Sequence, residues 1–201
     1  MSFTGRLTGA AGAQDAASLR TAWDNFAAAH APGPARPLQI DSDRYLNARV
    51  ESLGDKFNGL FHEVALAFIA FDPFWYALTS TTSALSTSAA TAITTGGTAY
   101  SWPVFTLVVS AAPAGGLITI TNSADASFAF APPAADTYTV DCGQETIVNS
   151  AGTDMFAYMT GTLPVLVAGA GSYGASNTLT VALTGGATLS GQSVSWQDRW
   201  E

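Results

Sequence analysis

Gly169-Ala170-Gly171-Ser172-Tyr173-Gly174 matches the glycine fingerprint that lets a backbone approach a dinucleotide pyrophosphate. That device needs a helix straight after it, whose N-terminal N–H groups meet the phosphates. Here Asn177-Thr178-Leu179-Thr180-Val181 follows, a strand-like run, and no acidic residue stands about 20 positions on at a strand end to hold a ribose. The stretch reads as a glycine-rich loop between strands, and no cofactor is expected. His30 and His62 stand alone, without the His-x-His or His-x-x-x-His spacing of a metal site. Asp41 and Asp43 open like a calcium loop, but the glycine and glutamate that complete one do not follow, so no metal is expected. Cys142 is the only cysteine, which forbids an internal disulfide and reads as a buried thiol at a strand end. No Gly-x-Ser-x-Gly elbow occurs; a glycosidase's carboxylates come from distant strands and leave no local motif, but with only 15 acidic residues the sequence carries no other sign of a sugar site. The chain is read as not an enzyme.

The aromatic residues are the remaining candidates. Trp75, Tyr76, Tyr100 and Trp102 bracket the stretch 79–98, while Trp196 and Trp200 stand near residue 201. Large rings stack on sugars or bases, and they also anchor protein interfaces. Trp196 and Trp200 are the candidate surface aromatics for a ligand; the others read as packing or interface residues.

Several elements must position these groups. Residues 15–30 predict the one helix, with Asp15 as cap and Leu19, Trp23 and Phe26 on one face before Pro32-Gly33-Pro34 stops it. Leu38 to Ile40 and Tyr45 to Glu51 read as strands, the second alternating with Leu46, Ala48 and Val50 on one face. Gly54 to Gly59 reads as a turn. Phe61 to Phe71 is apolar on both faces after Glu63, which predicts cover on both sides, one of them a helix and the other open to a second subunit. Asp72-Pro73 ends it, because Pro donates no ladder bond and restricts its predecessor.

Residues 79–98 are Ser, Thr, Ala and Gly almost without charge, and read as a connector with one edge strand at most. Beyond them the pattern is all β. Phe105 to Val109, Leu117 to Thr121, Ser127 to Phe130, Thr137 to Asp141, Glu145 to Val148, Asn177 to Leu183 and Ser193 to Trp196 are the expected strands of a sandwich or barrel. Asp154 to Thr160 reads as a helical turn or a strand.

Composition narrows the partners. Only 11% of the 201 residues are charged, against roughly 25% in an ordinary soluble domain, so the surface suits cover by neighbours. A net charge of −8 argues against a phosphate-binding surface, since nucleic-acid affinity rests on Lys and Arg. No apolar run approaches the about 20 residues that span a bilayer, and Met1 to Arg6 lacks the apolar segment of a signal peptide. The expectation is a soluble protein made in the cytoplasm, without membrane insertion.

Several pieces follow one another in a particular order. Ala31 to Leu38 is a Pro-containing turn after the helix, and Asp43-Arg44-Tyr45-Leu46 opens a strand. Phe68, Ala70, Asp72, Pro73, Phe74 and Trp75 form a Phe-x-Ala-x-Asp-Pro-Phe-Trp corner. The second half then carries Gly97, Trp102-Pro103, Ile118 to Asn122, Tyr138 to Cys142, Leu163 to Leu166, Asn177 to Leu179 and the final Ser193 to Trp200. This order resembles the distal tail proteins of long-tailed phages along nearly the whole chain.

The resemblance implies a mainly β protein with one helix. Residues 1–78 would form a ring-forming hub domain, a tail-tube-like β-sandwich or split barrel plus the helix, followed by the 79–98 connector. Residues 99–201 would form a galectin-like β-sandwich. It implies a structural virion protein that is assembled in the host cytoplasm, a homo-oligomer forming a hexameric ring between the tail tube protein and the tail tip or baseplate hub protein. Genome DNA would pass through the lumen without specific binding. Leu66, Phe68, Phe71, Trp75 and Trp23 would be the candidate subunit interface. A carbohydrate- or receptor-binding sandwich and a tail-tube protein are the alternative readings.

Overall fold

The computed structural model describes residues 2–7, 34–39, 42–57, 62–70, 72–168 and 177–201. The expected helix over 15–30, with Trp23 and His30, lies outside them, as do Asp41, Phe71 and the glycine run 169–174. The chain divides into two compact units, Met1–Trp75 and Tyr76–Glu201. Among the described residues the regular elements are strands apart from one 3-10 turn, Phe156–Tyr158.

The first unit holds β1 (Ser2–Leu7), β2 (Arg36–Gln39), β3 (Arg44–Phe57) and β4 (His62–Ile69). β4 lies between β1 and the second half of β3, all antiparallel, while β2 pairs with the first half of β3. Leu46 and Ala48 are buried, as the alternation of β3 predicts.

Three features depart from the sequence reading. β1 carries no clear alternation and was not expected. Gly54 does not turn: β3 runs on to Phe57, with Gly54 opposite Ala65. A Cβ on Gly54 would sit 3.9 Å from the Ala65 oxygen, an ordinary contact, so this glycine fits a flat ladder and forces no bend. The irregularity lies instead between Val50 and Ser52, where the register shifts by a bulge. β4 is also less covered than its composition predicts, with Ala65 exposed and Leu66 to Ala70 half-buried in the single chain. The Asp72-Pro73 corner forms as expected, and the Phe74 N–H donates to Asp72 Oδ1 (3.3 Å).

The second unit is a two-sheet sandwich. One sheet orders β13 (Met159–Gly161), β10 (Ser127–Phe130), β9 (Leu117–Asn122), β14 (Asn177–Thr184) and β7 (Thr91–Ile93). The other orders β12 (Thr146–Asn149), β11 (Thr137–Asp141), β8 (Val104–Ala111), β15 (Thr188–Trp196) and β6 (Thr81–Ala84). All neighbours are antiparallel. β10 and β11 have the expected bounds. β6 and β7 come from the stretch read as a connector, which instead supplies one edge strand to each sheet.

Alternation builds the core. Phe105, Leu107 and Val109 of β8 point inward with Tyr138 and Val140 of β11, against Ile118 and Ile120 of β9 and Phe128 and Phe130 of β10. Two aromatic pairs cross between the sheets, Phe105–Phe128 at 5.8 Å and Phe130–Tyr138 at 4.9 Å between centroids. Such pairs contribute about 1 kcal/mol each beyond the area they bury. The Tyr138 hydroxyl is satisfied by donating to Ala134 O (2.9 Å), and burial pushes its pKa up. β14 forms from Asn177 as the strand that its sequence predicts.

Candidate functional site

Three of the four aromatic residues that bracket 79–98, Tyr76, Tyr100 and Trp102, come together around Arg199, about a hundred residues on. β16 (Arg199–Trp200) lies beside β5 (Trp75–Ala77), and the Ala77 N–H donates to Asp198 O (3.0 Å). On its other flank the Ala99 N–H donates to Arg199 O (3.0 Å). This places the Arg199 guanidinium 3.9 Å from the Trp102 ring centroid and 5.3 Å from those of Tyr76 and Tyr100. Nη1 also donates to Tyr100 O (3.1 Å). Arg199 is 1% exposed.

A buried cation needs attraction to offset lost hydration. Three ring faces supply it, at up to about 2 kcal/mol for a desolvated contact, and a planar guanidinium stacks where an ammonium does not. The close approach of β16 depends on Gly97, where a Cβ would overlap the Arg199 carbonyl oxygen and lie 2.7 Å from its nitrogen. The contacts of this cluster are internal and tie the last strand to the residues on either side of 79–98.

A second polar assembly pins residues 163–168. Asn177 Oδ1 accepts from the Val167 N–H (2.9 Å) and from Asn122 Nδ2 (3.0 Å), while Asn177 Nδ2 donates to Val167 O (2.8 Å). Asn122 Nδ2 also donates to Val165 O (2.7 Å), and the Val165 N–H donates to Asp125 Oδ2 (2.9 Å). Thr95 Oγ1 donates to Val167 O (3.0 Å). Thr95, Asn122 and Asn177 are all buried, so the network replaces water inside the sandwich.

The residues singled out for chemistry do not gather. Asp43 is largely exposed and lies 3.7 Å from Nε of its neighbour Arg44. Among the described residues no three His, Cys, Asp or Glu side chains group as a metal site, and no helix is long and apolar enough to cross a membrane. Leu66, Phe68 and Trp75 are half-buried, which leaves part of each side chain for a neighbour.

Trp196 is a correction. It is 5% exposed, packs in the sandwich core and donates its Nε1 to Asp198 Oδ1 (3.1 Å), so it offers no ring face to a ligand. Its parity with Val194 in β15 was the signal, since alternate residues share a face. Trp200 is half-buried. Among the described residues of the second unit the exposed rings are Tyr100, Trp102, Phe156 and Tyr158.

Cys142 is buried, and burial, with a smaller contribution from Asp141, pushes its thiol up to about 12. The thiolate is the reactive form, so alkylation at pH 8 should be slow in the native protein and fast in denaturant. Equal rates by mass spectrometry would contradict the burial. Because the folded value is raised, this thiol supports stability below pH 9 and that support is lost as pH rises from 9 towards 12.

No family model matches the chain, and no curated protein matches it in sequence. A solved structure does match. The crystal structure of the Dit protein of phage SPP1, described as a paradigm of the hub adsorption apparatus in phages that infect Gram-positive bacteria, aligns with a TM-score of 0.73 at 16% identity. The alignment covers 100% of this chain and 89% of that one. A likeness over the whole chain at so low an identity is one of fold, and the chain has the Dit fold, that of a phage distal tail hub protein.

Proposed function

We propose that the protein is a non-enzymatic structural component of a phage tail, a distal tail hub that joins the tail tube to the tip or baseplate. The observation that carries this is the match of the whole chain to a tail hub protein. In this reading residues 1–78 form the ring-forming, tail-tube-like part. Residues 99–201, extended by the strands of 79–98, form a galectin-like sandwich. Six copies close a ring whose lumen passes genome DNA, and the protein assembles in the host cytoplasm before joining the virion.

Composition supports assembly. The charged fraction is 11%, and β4 leaves Leu66 and Phe68 half-buried on the single chain. Burying such apolar surface against a neighbour is worth about 25 cal/mol per Å² before association costs are met. Trp75 joins this candidate interface, with Trp23 and Phe71 as further members from the sequence reading. A net charge of −8 suits a lumen through which DNA slides, because like charges repel.

The test is negative-stain imaging of the purified protein beside a Leu66→Asp, Phe68→Asp variant. Wild type should show closed rings. The variant should show single chains, because two buried carboxylates oppose an apolar interface. Its second unit should melt as in wild type. Rings that survive in the variant would remove β4 from the interface, and long tubes from wild type would favour a tail-tube protein.

A further inference from the structure

Charge is divided unevenly along the chain. Residues 76–201 contain seven of the fifteen acidic residues but only one of the seven basic ones, Arg199, and neither histidine. Since Arg199 is 1% exposed, the surface of this unit displays carboxylates and almost no positive charge.

On that surface two large rings are exposed side by side, Tyr100 at 44% and Trp102 at 37%, packed edge to face with centroids 5.6 Å apart. A Cβ placed on Gly143 would lie 3.2 Å from Trp102 Cβ and 3.4 Å from Asp141 Oδ1, so ring and carboxylate flank one spot. Asp141 Oδ1 is held by the N–H groups of Gly143 and Gln144, each at 2.9 Å. Glu201 reaches the same edge, its N–H donating to Thr98 Oγ1 (3.2 Å) two residues before Tyr100.

We propose that the Tyr100–Trp102 edge, with Asp141 and Glu201, docks an arginine-bearing segment of another protein. The chemistry is already present internally, because Trp102 stacks the Arg199 guanidinium at 3.9 Å. A second guanidinium would meet exposed aromatic surface on one side and the fixed Asp141 carboxylate on the other, the combination that favours Arg over Lys. A polyanion such as nucleic acid is repelled by the same surface. This inference goes beyond ring assembly and does not rest on it.

The test titrates the full-length protein with hexa-arginine, hexa-lysine and hexa-citrulline peptides at low salt, read by calorimetry and tryptophan fluorescence. Hexa-arginine should bind more tightly than hexa-lysine, and hexa-citrulline should not bind. Asp141→Asn should weaken hexa-arginine about tenfold, since a fixed carboxylate partner of a guanidinium is lost. Its turn survives, because an asparagine Oδ1 accepts the same two backbone bonds, and an unchanged melting temperature would verify this. Trp102→Ala should weaken binding comparably.

Asp136→Asn removes the same charge at the opposite end of β11 and should change affinity less than about twofold, as expected of a distant screened charge. Equal losses from Asp141→Asn and Asp136→Asn would overturn the proposal in favour of a diffuse field. Absence of hexa-arginine binding would overturn it outright. Binding of a neutral oligosaccharide through Trp102, insensitive to Asp141→Asn, would assign the edge to sugars instead.

Discussion

Asn177→Leu should destabilise the second unit by about 4 kcal/mol, the sum expected from losing three buried hydrogen bonds and orphaning at least one buried N–H. Asn177 is fully buried and bonds both the N–H and the carbonyl of Val167. Leucine is close in size, so the loss would come from polar groups left unpaired and not from a cavity. Asn177→Asp provides the sharper variant. A carboxylate there still accepts from Val167 N–H but faces the Val167 carbonyl, and both burial and that carbonyl disfavour its charge. Its folded pKa would therefore be raised above the unfolded one. The deficit should be full at neutral pH and recede as pH falls through the folded value, where a protonated oxygen can donate to Val167 O. Chemical denaturation of both variants across pH checks this; a pH-independent Asn177→Asp deficit would contradict the network.

Gly97→Ala should have the second largest effect, about 3 kcal/mol or more, because overpacking is met by backbone and not by a yielding side chain. The added methyl would overlap the Arg199 carbonyl oxygen and press on its nitrogen. β16 would have to retreat, carrying the guanidinium off Trp102, so a change in tryptophan fluorescence should accompany the lost stability. Gly115→Ala is the control. Its φ of 81° disfavours a side chain, yet no atom lies within 4 Å of the added methyl. Only the backbone penalty of about 1 kcal/mol applies there. Equal costs for the two would show that close approach at Gly97 does not hold the last strand.

The strands of the second unit were legible because inward and outward residues alternate between turn-forming residues. Ser127 to Phe130 and Thr137 to Asp141 appear with the bounds their patterns predict. β1 was hidden because Ser2-Phe3-Thr4-Gly5-Arg6-Leu7 draws its stability from a partner, β4, about sixty residues on. Gly54 misled for a related reason: a glycine marks a turn only if the backbone needs its freedom, and here the ladder does not. In the 79–98 stretch, Thr81–Ala84 and Thr91–Ile93 are too short and small to show a period. They become strands because β15 and β14 offer them edges.

The two polar assemblies were legible only in part. Tyr76, Tyr100 and Trp102 could be singled out as rings, but nothing local points them to Arg199. Asn177 reads only as the first residue of an expected strand, and its partners Asn122 and Val167 meet it only after the sandwich closes. Trp196 was readable and misassigned: two residues from Val194 in one strand, it belongs to the core face.

The most direct test of the hub account is the mass of the purified protein by size exclusion with light scattering. The account predicts a closed species of six times the 20.7 kDa chain, held over a wide concentration range. A single-chain mass at every concentration would contradict it.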